Sequence, residues 1–224
     1  MARSRDPFGK AVAVLKARLL TGAYGHGRPL LVSEVAAELG LSTTPVREAM
    51  ARLVGEGMIE EHRGRGYMTW RMDSADLKEL YELEGFYLGW AAHLCVALPA
   101  QVAGPLIDRA RFELLGQGGA SDPVLSPLSV RLQKALDLVV EAPGHGALKD
   151  AYERTAQRLG PAREVEGVVL AEAERECAAL HETLARGTFA ELAPFADAFA
   201  RRRVEAAGEI ASSLRRGSVS RGNI

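Results

Sequence analysis

The chain has 224 residues, room for two modest domains, and a formal net charge of -1. A quarter of the residues are charged and 47% are apolar, which excludes a disordered or fibrous chain, while 6% aromatics beside abundant Ala, Leu, Arg and Glu lean toward helix. No apolar run reaches the roughly 18–20 residues that span a bilayer, MARSRDPFGK lacks the apolar stretch of a secretion signal, and Cys95 and Cys177 make no disulfide framework. A cytoplasmic protein with no membrane partner is therefore expected.

The small net charge hides an asymmetry. Residues 1–72 carry eleven Lys/Arg against seven Asp/Glu, so a segment of charge +4 precedes a remainder of charge -5. A basic head on an acidic body suits polyanion binding by the head.

In chain order, a first helix is expected from about Phe8 to Leu20, where Val12, Leu15 and Leu19 keep helical spacing. GAYGHGRP then turns sharply. SEVAAELG reads as a short amphipathic helix that Ser33 caps, with Val35, Ala36 and Leu39 facing inward and Gly40 ending it in a left-handed conformation. Ser42 is positioned to cap the next helix, and Pro45 is tolerated in its first turn. Val46, Ala49, Met50 and Leu53 form an apolar stripe, with Arg47 and Arg52 off it. Segments around 58–62 and 67–70 suit two short strands, with RGRG between them. These elements make a winged helix-turn-helix over 1–72.

From Ser74 onward no strand alternation is visible. Helices are expected near 75–98, 101–115, 125–141, 146–159, 165–186 and 189–214, broken at LPA, GQGGASDP, APGHG, LGPA and ARGT. The fold class is mainly α: the winged head, then an all-α antiparallel helical bundle over 73–214, with 215–224 expected to fray.

The helix-turn-helix carries the chemistry. A recognition helix presents short polar side chains to base edges and cations to phosphates. Ser42, Thr43 and Thr44 occupy its start, Arg47 follows one turn later, and Arg52 lies further along. Ser33, opening the preceding helix, joins this set. In the wing, Arg63 and Arg65 alternate with Gly64 and Gly66, which let backbone approach a phosphate or a minor groove.

The stretch SEVAAELGLSTTPVREAMARLVGEGMIE, with the glycine-rich connector and the RGRGYMT wing, resembles the GntR family of bacterial regulators. That resemblance implies dimeric binding to a short two-fold symmetric operator on double-stranded DNA, with Ser42, Thr44, Arg47 and the wing glycines near DNA. One position departs: the family's guanine-reading Arg is here Thr43. An operator that diverges from the family palindrome is therefore expected.

DLKELYELEGFYLGWAAHLCVAL and LHETLARGT resemble the FadR-type ligand-binding domain of that family, which implies a helical bundle that binds a small effector and contributes to dimerisation. Many of its members hold a metal with one Asp and three His. The aligned positions here are Leu132, Leu136, Cys177 and Phe199, a set without hard-metal donors, so no metal or other cofactor is expected. Where relatives carry an acid-binding Arg, this chain has Glu84, and Arg203 also falls among apolar positions. Two readings stand for Glu84 and Arg203: ligand-binding groups of an internal cavity, or the favoured one, stripe edges that reach solvent or pair at a dimer surface. Either way a cationic, neutral or apolar effector, or none, suits the site better than a carboxylate. His93 and His181 read as structural, His145 as a loop residue, and Phe86, Tyr87 and Trp90 as core or interface. Cys95 and Cys177 read as buried free thiols.

No P-loop, dinucleotide fingerprint, HExxH or GxSxG is present, which argues against an enzyme. Two functions remain: a homodimeric regulator, a repressor by preference, controlled by an effector; or a DNA-bound scaffold whose body has lost sensing and serves dimerisation or partner binding.

Overall fold

Asp6 starts the first helix: its carboxylate accepts from the Gly9 amide at 2.9 Å, and Pro7 takes the position where a missing donor costs nothing. This helix, α1 (Pro7–Leu20), opens a computed structural model that describes residues 6–114 and 127–221. The head continues with β1 (Pro29–Leu30), α2 (Val32–Leu39), α3 (Thr43–Gly55), β2 (Ile59–His62) and β3 (Gly66–Thr69). The sheet is antiparallel in the order β1-β3-β2, with Leu30 opposite Tyr67 and Glu61 on that residue's other side. The two-residue strand β1 is too short to leave a periodic signal and is not among the expected elements. Val12, Leu15, Leu39, Met50, Leu53 and Ile59 lie in one buried cluster, so the three helices and the sheet share a core within the head.

Asp73 begins the body. It accepts from the amides of Ala75 and Asp76 while Asp76 returns a bond to the Asp73 amide, a reciprocal cap for α4 (Ser74–Val96). There follow α5 (Ala100–Leu114), α6 (Leu128–Glu141), α7 (Gly146–Val169), α8 (Ala173–Arg186), a 3-10 turn (Phe189–Glu191) and α9 (Leu192–Arg221). Helices α4 and α9 pack along each other, and α5, α6, α7 and α8 close a second core around Leu132, Leu136, Tyr152, Leu180 and Phe199.

Three expectations are corrected here. The LGPA break does not occur: Pro161 lies inside a continuous α7, and the chain turns instead at 170–172. Buried Pro161 lies beside Gly22 of the head, Ala162 packs in the body, and Gly160 sits against Leu20 of α1, so tertiary contact outweighs the local cost of proline. Ser33 is not a cap: α2 starts one residue earlier, with Leu31 at the capping position and no side-chain bond. Residues 215–221, expected to fray, continue α9. The expected GQGGASDP break, the helix limits at 115 and 125, and residues 222–224 lie outside the described residues.

Candidate nucleic-acid interface

The turn between α2 and α3 is built by Gly40. Its φ of +63° lets the Leu41 amide reach back to the Ala36 carbonyl at 2.9 Å, which closes α2 and swings the chain into the next helix. Half-buried Leu41 packs on the head core, and Ser42 follows in extended conformation at the capping position of α3. The Ser42 hydroxyl makes no capping bond, so the first-turn amides of α3 and the hydroxyls of Ser42, Thr43 and Thr44 all stand at an exposed helix start. A helix N-terminus with unfilled donors attracts phosphate oxygens. The opposite face is fixed: Val46, Ala49, Met50 and Leu53 are fully buried.

The cations of α1, α3 and the wing divide into two groups. Lys10 donates to the Leu39 carbonyl at 2.9 Å, Lys16 pairs with Glu56 at 2.5 Å, and Arg18 pairs with Glu38. Arg52 bonds Glu56 at 2.7 Å and lies over the Phe8 ring. These four hold the head together. Exposed Arg47, Arg63 and Arg65 have no acidic partner among the described residues. Arg47 of α3 acts electrostatically on Tyr67 of β3. The wing turns at Arg63–Arg65, where the Arg65 amide bonds the His62 carbonyl at 3.0 Å and Gly64 and Gly66 take φ of +77° and +75°. Ser42, Thr43, Thr44 and Arg47 thus gather at one end of α3. Arg52 stands about 13 Å further along the helix, and exposed Ser33 lies at the start of α2.

The body's proposed ligand pair is corrected in part. Glu84 and Arg203 do not reach solvent; both are 0% exposed. Arg163 bonds Glu84 at 2.5 Å and Glu166 at 2.9 Å. Arg203 bonds Glu166 and Glu176, each at 2.9 Å, and lies 3.5 Å from the centroid of the Phe199 ring. Tyr81 donates to Glu166 at 2.8 Å, and Arg202 closes the chain onto Glu176. Three carboxylates and three guanidiniums balance, which is why burial is tolerated. Burial pushes the Glu84 carboxyl up despite Arg163. Burial pushes on Glu166 too, but Arg163 and Arg203 together hold it below the usual carboxylate range. Sequence reasoning missed Arg163, Glu166 and Glu176: the break expected at Pro161 hid the buried face that Arg163 and Glu166 share on α7, and Glu176 joins them from α8. The signal was present as complementary charges at Arg163 and Glu166, three residues apart.

Leu132, Leu136, Cys177 and Phe199 are all buried in the body core. Both cysteines are free, and burial pushes each thiol up to about 11. His181 is buried, its Nδ1 2.9 Å from the Cys177 carbonyl oxygen. His145 is not a plain loop residue: its Nδ1 accepts from the Leu148 amide at 3.2 Å and caps α7. His93 is exposed and stacks on Trp90. Phe86 and Trp90 project from α4, 67% and 49% exposed.

Residues 9–68 match the family model described as bacterial regulatory proteins, gntR family. An HTH-type transcriptional regulator from the TAR-I ttuE-ttuC' intergenic region of Agrobacterium vitis is 30% identical over 101 residues, 45% of this chain and 59% of that protein. An HTH-type transcriptional regulator from an unstable DNA locus of Streptomyces ambofaciens is 31% identical over 121 residues, 53% of this chain and 50% of that protein. The match thus spans between half and three-fifths of these relatives' length. The solved structure of E. coli McbR/YncC has the same fold, with a TM-score of 0.60 and 18% identity over 93% of this chain and 99% of that one.

Proposed function

We propose that this chain, whose residues 9–68 form a GntR-family helix-turn-helix domain, is a cytoplasmic DNA-binding transcriptional regulator that represses as a homodimer and responds to a small molecule in its helical body. The observation that carries the DNA-binding reading is the meeting of an uncapped α3 start with unpaired Arg47, Arg63 and Arg65, while the other described cations of α1 and α3 are held by internal partners. Ser42, Thr43 and Thr44 read base edges in the major groove; Arg47 and the wing, with Gly64 and Gly66, hold the flanking phosphates. Arg52 and Ser33 flank this surface, and Arg52 chiefly fixes α3 against Glu56 and Phe8.

A single head covers one half of a two-fold site, so two copies are required. Exposed Leu83, Phe86 and Trp90 on α4 supply an apolar strip for the second copy. We take 1–72 as the head and 73 onward as the body. The body works without a metal, because the aligned ligand positions Leu132, Leu136, Cys177 and Phe199 are occupied by packed core. Stoichiometric zinc, nickel or manganese in purified protein would refute that.

Duplex binding measured against salt tests the main reading. If Arg47, Arg63 and Arg65 of two heads neutralise about six phosphates, log K should fall against log salt with a slope of about -5. Replacing Arg63 and Arg65 by Ala should flatten that slope. Absence of salt-sensitive association with any duplex, the protein's own promoter region included, sinks it.

A further inference from the structure

We propose that the cleft between α1 of the head and the α6–α7 pair of the body is a ligand site, and that it takes a small organic cation, an amine carried on an apolar stem. The proposal deepens the regulatory reading and rests on it for its biological meaning, since it names where the responsive molecule sits.

The cleft has a volume of about 660 Å³, with Ala17 and Leu20 on the head side and Gln133, Asp137, Ala156 and Gly160 on the body side. Helix α6 sends Leu132, Ala135, Leu136 and Val139 into the core, and its other face lines the cleft with Ser129, Gln133 and Asp137 at four-residue steps. This is a different face of α6 from the one bearing the expected metal positions. The Glu84 and Arg203 side chains are not part of the cleft lining; Arg163 is.

Charge selects the occupant. Asp137, Glu153 and Glu164 line the cleft, against Lys134 and Arg163. The Arg163 charge is already committed to Glu84 and Glu166. Half-buried Asp137 accepts from the Gln133 amide at 2.8 Å, and the same amide reaches the Tyr152 hydroxyl at 2.9 Å. No Lys or Arg pairs with Asp137 among the described residues. Burial pushes its carboxyl up, with the bonds from Gln133 and Tyr152 working the other way. A desolvated carboxylate lacking a cation is completed by an ammonium group and repels a carboxylate ligand.

Two further polar atoms await partners. Ser129 Oγ and Arg163 Nε are buried and bond nothing among the described residues, and both residues line the cleft. Ser129 lies two helical turns from Asp137, about 12 Å along α6. A ligand with an amine at the Asp137 end and a carbonyl or hydroxyl oxygen at the Ser129 end would satisfy both groups. Leu20, Val130 and Ala156 would meet its apolar stem.

The position also gives a route to DNA. A Cβ on Gly160 would come within 2.8 Å of Leu20 Cδ2, so α7 and α1 touch beside the cleft. An occupant contacts both helices and biases how the head sits on the body, which sets the spacing of two heads in a dimer.

The test uses the full chain and a series of straight-chain and phenyl-terminated primary amines, with carboxylates of matched size as controls, followed by calorimetry and melting temperature. Amines should bind and raise the melting temperature, and carboxylates should not. Asp137→Asn should weaken amine binding about tenfold or more. Val130→Trp, at the exposed rim, should block it, with the unliganded melting temperature of each variant retained. Failure of every amine to bind at millimolar concentration, or undiminished binding in both variants, overturns the site. Salt-sensitive duplex binding is measured separately on the same samples: its persistence when amine binding fails sinks the cleft alone, whereas its absence sinks the regulatory reading and not an amine site lost in Asp137→Asn.

Discussion

The Arg158 guanidinium carbon lies 4.0 Å from the centroid of the Trp70 ring, so α7 of the body grips the last aromatic residue of the head. Trp70 is held from the other side, its indole nitrogen donating to the Gly57 carbonyl at 2.8 Å. A cation on a half-buried ring contributes about 0.5–2 kcal/mol. With Trp90→Phe removing the second tryptophan, Arg158→Ala should change Trp70 emission and lower stability within that range. Arg158→Lys should retain part of the effect. Emission and unfolding that ignore both substitutions would mean that head and body are held together elsewhere.

Under the proposed reading, operator choice turns on Thr43. It stands exposed in the first turn of α3, where the resembling family places a guanine-reading arginine. A threonine cannot make the paired bond to O6 and N7. Selection from random duplexes should return a sequence without the family's guanine at that step, and Thr43→Arg should restore a preference of about 1–3 kcal/mol for it. An unaltered protein that already selects the same guanine would show that another side chain reads it.

Glu84 and Glu166 share Arg163, yet burial leaves one raised and the partners hold the other lowered. Glu166 is the hub, bonded by Arg163, Arg203 and Tyr81. Glu166→Gln should cost about 3–5 kcal/mol, because it strands buried guanidinium charge. Glu84→Gln should cost clearly less, since its ionised form is already disfavoured. The pH signs are opposite. The lowered Glu166 stabilises above the ordinary carboxylate range, and that contribution fades as pH falls through its folded value. The raised Glu84 contributes most in acid and loses it as pH rises through its own folded value. Urea unfolding of the two variants across the acid range reads both; equal costs with identical pH profiles would contradict the assignment.

Much of this architecture is legible in the sequence, and the gaps have physical causes. The Val46, Ala49, Met50, Leu53 stripe and the left-handed Gly40 were legible because local periodicity and turn chemistry decide them. Strand β1 was not, because a two-residue strand exists only through its pairing with β3. Pro161 misled for a related reason: its local preference to break a helix yields to packing against the head, which no local pattern records. At the interface, residue type and spacing indicated Arg47 and Arg52 alike. Only the fold separates them, by giving Arg52 an acid and a ring and leaving Arg47 with no ion pair or ring stacking among the described residues.

The α4 strip of Leu83, Phe86 and Trp90 bears on assembly. Phe86 and Trp90 line a groove with α9 in which Asp197, Arg201 and Val204 stand opposite, and exposed Leu83 lies one turn before Phe86. A second copy would bring the same apolar strip against itself under two-fold symmetry, with Asp197 and Arg201 available for reciprocal pairing at the rim. Phe86→Glu should therefore convert the protein to a monomer by sedimentation velocity at micromolar concentration. The cost to the monomer's own fold should be within about 0.5 kcal/mol, because Phe86 is mostly exposed. Affinity for a two-half-site duplex should then drop toward that for a single half-site, since the effective concentration conferred by the partner head is lost. A variant that sediments as an unchanged dimer would move the interface to another face.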